Sequence, residues 1–82
     1  MLPESAIVER LREANHEFRE LEDAHHRLDG ELGEMQKRHV LMPQEEIVKK
    51  RLQKEKLAKK DRMAELIRDY RHQVEAGSAT SS

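Results

Sequence analysis

The chain has no cysteine and no tryptophan, and one phenylalanine and one tyrosine among its 82 residues. Without cysteine, disulfides and thiolate metal sites are excluded. Aromatics at 2% leave too little apolar bulk for a compact globular core, which is marginal at this length even with favourable composition. Long apolar runs are missing too. None approaches the ~20 residues of a membrane span, and the opening Met1-Leu2-Pro3-Glu4 lacks the basic and apolar regions of a signal peptide. The expected setting is the cytoplasm, with no membrane partner. There is no glycine-rich phosphate loop and no serine in a nucleophile context. No enzymatic activity, catalytic residue, metal or cofactor is expected.

What the chain has is charge. Asp, Glu, Lys and Arg make up 40% of it, the composition of long helices that bury only a stripe. Apolar or near-apolar residues fall at Ile7, Leu11, Ala14, Phe18, Leu21, His25, Leu28, Leu32, Met35 and His39. Their spacing alternates four and three, which is the heptad seam of a helix packed lengthwise on others. The spacing predicts one helix over about 4–38. Pro3 suits its first turn, and Glu4 and Glu9 put negative charge near the positive end of the dipole. Gly30 and Gly33 face away from the seam. Each costs ~1 kcal/mol relative to Ala, but Leu32 and Met35 keep the register, so continuity is favoured over a bend or an early end near Gly33.

The run His39-Val40-Leu41-Met42-Pro43 breaks the pattern. Pro43 disfavours helix before it and can start a new one. A connection over about 39–42 then leads to a second helix over about 43–76, with Gly77 opening a disordered tail, 77–82. Leu52, Met63, Leu66 and Tyr70 continue the seam on this helix, with Val48 and Val74 on the same face. Residues 4–34 carry ten acidic and four basic residues, a net of −6, and 49–62 carry eight basic and two acidic, a net of +6. A short connection folds two such helices back antiparallel, acidic beside basic. The fold class expected is all-α: a helical hairpin of two long antiparallel helices. One hairpin is expected to leave Phe18, Leu21 and Leu28 with limited cover, so a second copy completing a four-helix-bundle dimer is expected as well.

The run Phe18-Arg19-Glu20-Leu21, then His25-His26-Arg27-Leu28-Asp29 and Leu32, resembles the first half of the small YdcH-like bacterial proteins. Leu52-Gln53-Lys54-Glu55-Lys56-Leu57-Ala58-Lys59-Lys60-Asp61 resembles their second box, over a match of roughly 2–67. Lys59 stands where that pattern usually has Leu, and Gly30 and Gly33 are unusual within the first box. The resemblance implies a two-helix hairpin that self-associates in the cytoplasm. It implies no activity, since the function of that family is unknown.

Two patterns point toward chemistry. Glu13-Ala14-Asn15-His16 and Glu22-Asp23-Ala24-His25 have the Glu-x-x-His form of carboxylate-bridged di-iron bundles, but the second helix offers no matching motif. His25 reads better as a polar seam residue, with Glu22 and Asp29 placed to hold a charged ring. The basic residues Lys49, Lys50, Arg51, Lys54, Lys56, Lys59, Lys60 and Arg62 could meet nucleic-acid phosphates. Against this stand a net charge of −1 and no interleaved aromatic. The expected function is a structural or protein-interaction module with an unidentified protein partner, and a small nucleic-acid-associated protein is the alternative.

Overall fold

The computed structural model describes residues 2–38 and 40–80. Their regular structure is helix: α1 (Glu4–Ala14), α2 (His16–Gln36) and α3 (Pro43–Thr80). Pro3 precedes α1 in an extended conformation, and its carbonyl accepts the first free N–H groups, from Ala6 at 3.1 Å and Ile7 at 3.3 Å. The seam position His39 lies outside the described residues.

The single helix expected over 4–38 is broken at Asn15. Its backbone is extended, with φ −120° and ψ 109°. Its N–H still donates to the Leu11 carbonyl at 2.8 Å, closing the last turn of α1. Its side-chain Oδ1 accepts from the Phe18 N–H at 2.9 Å, which caps α2. One residue thus ends one helix and starts the next. The break also lets Arg12 reach Glu22. Arg12 Nε donates to both carboxylate oxygens, at 2.8 and 2.9 Å, and Nη2 donates to Oε2 at 2.7 Å. Along a straight helix these residues would stand ~15 Å apart.

Gly30 and Gly33 sit inside an uninterrupted α2. The helix ends at Gln36, close to the expected end at about 38, and the Arg38 side chain just beyond it bonds the Glu45 carboxylate. Glu45 also accepts from the Met42 N–H at 3.2 Å, the reciprocal half of a capping box at the start of α3. α3 runs through Gly77 to Thr80. The expected tail is therefore helical over most of its length, and Ser81 and Ser82 lie outside the described residues. An α3 of 38 residues accounts for the long axis of a molecule measuring 60 × 20 × 17 Å.

Side-chain contacts between the two halves run in opposite chain order. Arg10 meets Tyr70, Glu17 meets Arg62, Asp29 meets Lys56 and Arg38 meets Glu45. The core lies where α1, the start of α2 and the C-terminal half of α3 converge. Ile7, Leu11 and Phe18 are buried there, with Leu2, Val8, Met63, Leu66, Ile67 and Tyr70 packed around them. Leu28 and Leu32 are buried farther along α2. Phe18 and Leu28 are each only 2% exposed within one chain. The limited cover expected for these two is corrected: α3, with α1 over Phe18, already encloses them.

Candidate functional site

The long seam between α1–α2 and α3 is where the sequence places its candidate residues. Of these, Ile7, Leu11, Phe18, Leu28 and Leu32 are buried, and Leu21, His25, Met35, Leu52, Met63, Leu66 and Tyr70 are half-buried. Ala14, also on the heptad, is exposed at the end of α1, where the break at Asn15 turns it out of register.

Charged side chains flank this apolar strip. Arg62 Nε and Nη2 donate to the Glu17 carboxylate at 2.9 and 3.0 Å, and Nη1 donates to Glu65 at 2.9 Å. Lys56 Nζ donates to Asp29 Oδ1 at 2.5 Å, and Arg10 Nη1 donates to the Tyr70 hydroxyl at 3.5 Å. The charge-assisted hydrogen bond from Arg62 holds the Glu17 carboxyl below the usual carboxylate range. Arg12 does the same for Glu22, and Lys56 for Asp29. In return Glu22 raises the Arg12 guanidinium, and Glu17, with Glu65, raises that of Arg62.

The basic run divides into two groups. Lys56 and Arg62 pair with α2. Lys49, Lys50, Arg51, Lys54, Lys59 and Lys60 make no ion pair among the described residues; Lys50, Arg51, Lys54 and Lys60 are exposed, and Lys49 and Lys59 are half-buried. The acidic half therefore engages only a quarter of the eight cations.

His25 does not receive the partners expected for it. Glu22 is taken by Arg12 and Asp29 by Lys56, and the half-buried His25 has its Nε2 atom buried and without a hydrogen bond among the described residues. His16 pairs with Glu20 one turn on, at 2.8 Å. Among the described residues no group of three or more His, Cys, Asp or Glu side chains is gathered as a metal would require. No helix among them is long and apolar enough to cross a membrane.

Asn15 escaped the sequence reading as a helix break, although Asn is a preferred N-cap and Glu17 follows in the first turn. Glu45 is readable from the sequence as a first-turn acid of α3, but its bond to the Met42 N–H is not. The connection leaves Val40 83% and Met42 63% exposed, and on α3 Ile47 and Leu57 also face solvent.

An all-helical chain with a thin apolar seam and an exposed charged margin defines a class of helical proteins rather than an activity. A family profile described as a protein of unknown function (DUF465) matches residues 18–67. The chain belongs to this family, which includes the small YdcH-like proteins. The match starts at Phe18, just past the Asn15 break, and ends at Ile67, so it takes in most of α2 and over half of α3 and omits α1. No curated protein and no solved structure matches the chain.

Proposed function

We propose that this protein is a non-enzymatic protein-interaction module. Its working unit is an antiparallel helical hairpin that self-associates and presents charged helix faces to protein partners in the cytoplasm. The observation that carries the reading is the ladder of pairs from Arg10–Tyr70 through Glu17–Arg62 and Asp29–Lys56 to Arg38–Glu45. In this order Glu17 and Asp29 of the acidic half meet α3, while six of the eight cations of the basic run make no ion pair among the described residues. The grooves along the seam are shallow and lined by side chains from helix flanks, which suits docking of another helix better than enclosure of a substrate.

Sedimentation velocity across a wide concentration range, with helicity followed in parallel, tests the self-association. A dimer whose population and helical content rise with concentration is expected. A fully helical monomer at high micromolar concentration would remove that part of the reading.

The unpaired state of Lys50, Arg51, Lys54 and Lys60 favours one alternative, a small nucleic-acid-associated protein. Titration of labelled DNA and RNA at low and high salt separates the two. Undetectable binding at low salt eliminates the alternative, and binding with a steep salt slope supports it.

A further inference from the structure

The two flanks of the α2–α3 layer differ. On one flank Glu17, Leu21, Ala24 and Lys59 line a groove, and the Glu17–Arg62 bridge spans the two halves beside it. On the other flank, two grooves meet at Lys60. One runs past Leu32, Gly33 and Leu57, the other past Val8, Ala64 and Ile67. Leu57, Lys60, Ala64 and Ile67 follow at three- and four-residue steps, so they share this one side of α3. Leu57 is 58% exposed, Lys60 makes no ion pair among the described residues, and the space beside Gly33 is open, with nothing within 4 Å of the position its Cβ would take.

We propose that two copies of this chain stack through the flank marked by Val8, Gly33, Leu57, Lys60, Ala64 and Ile67, with both turn ends, marked by Val40 and Met42, at the same end of the dimer. This rests on the self-association put forward above and adds its face and its polarity. A second copy suits the surface in size, since a 60 × 20 Å side exceeds the roughly 800 Å² per partner of a standard interface. It suits it in shape, because Gly33 and Ala64 let a neighbouring helix approach closely.

Charge selects the polarity. Two stacked layers have two symmetric arrangements. With the two-fold axis along the helices, each basic α3 lies on the partner's acidic α2, and stacked neighbours run in opposite directions. With the axis across the helices, α2 lies on α2 and α3 on α3, so the −6 and +6 segments each face their own sign, which opposes association. The first arrangement also brings together two apolar ends that are otherwise left in water, where Val40 is 83% and Met42 63% exposed.

The chain has no cysteine, so Gln44→Cys carries a single spin label on the exposed first turn of α3. Any dipolar signal is then between copies. Turn ends together predict a label distance below about 35 Å, from helix layers ~10 Å apart plus the two label arms. A dimer whose labels stand near the 60 Å length of the molecule overturns the polarity while leaving self-association intact. A monomer by sedimentation overturns both. The face is tested with Gly33→Gln, whose side chain has room within one chain but would fill the proposed interface. At least a tenfold weaker dimer with undiminished helicity is expected, with Gly30→Gln on the outer side of α2 dimerising like the wild type. Unchanged dimerisation of Gly33→Gln overturns the face.

Discussion

At the scale of single residues, Asn15 decides more than its size suggests. Its backbone leaves the helical region while its side chain satisfies the Phe18 N–H. Asn15→Ala removes this cap and is expected to cost about 1 kcal/mol, measured by urea denaturation of the monomer at low concentration. A gain in stability would instead mean that Ala fuses α1 to α2 into one straight helix and that the break is not needed for packing. Gly30 behaves oppositely. It lies in the interior of α2 with open space around its missing Cβ, so nothing among the described residues needs a glycine there. Gly30→Ala should add about 0.5–1 kcal/mol through helix propensity; a loss in the same denaturation assay would contradict that freedom.

At the scale of helices, the helical period was legible and the break was not, for one physical reason. A heptad reading registers apolar spacing, and a single extended residue at Asn15 leaves the four-three rhythm from Leu11 to Phe18 intact. Helix on both sides of Pro43 was legible, but the specific ion pairs were not. Their formation depends on which long side chains meet across a thin layer, and net charge does not resolve that. The same limit explains His25, whose neighbours in sequence, Glu22 and Asp29, are drawn off by Arg12 and Lys56. These pairs make an acid-dependent prediction. Glu17, Glu22 and Asp29 titrate lower in the folded chain than in the unfolded one. Their contribution is therefore complete above the ordinary carboxylate range near ~4 and is lost as pH falls through the lowered folded values. Glu22→Gln should melt below the wild type at pH 6, and the gap should close as both are acidified below pH ~3. An unchanged gap would assign the effect to packing rather than to the Arg12 bridge.

At the scale of the molecule, the basic run divides into cations that pair with α2 and cations that make no ion pair among the described residues. Lys56 and Arg62 face the acidic half, whereas Lys50 and Lys54 point away from it without ion pairs among the described residues. Exposed pairs contribute only about 0.2–1 kcal/mol each, but reversing both partners of α2 at once replaces attraction with repulsion. In a chain this small, 1 kcal/mol moves the melting temperature by ~4–8 °C. The Lys56→Glu, Arg62→Glu double variant is therefore expected to melt several degrees below the wild type at low salt, with much of the difference screened at high salt. The Lys50→Glu, Lys54→Glu double variant, with the same change in net charge, should melt close to the wild type. Equal destabilisation by the two variants would mean that net charge, and not the pairing along the seam, sets the stability. Asymmetric loss would place the folding contribution of the run on the side of α3 that faces α2, beside the five buried apolar residues among those described, and leave Lys50 and Lys54 outside the contacts that hold the chain together.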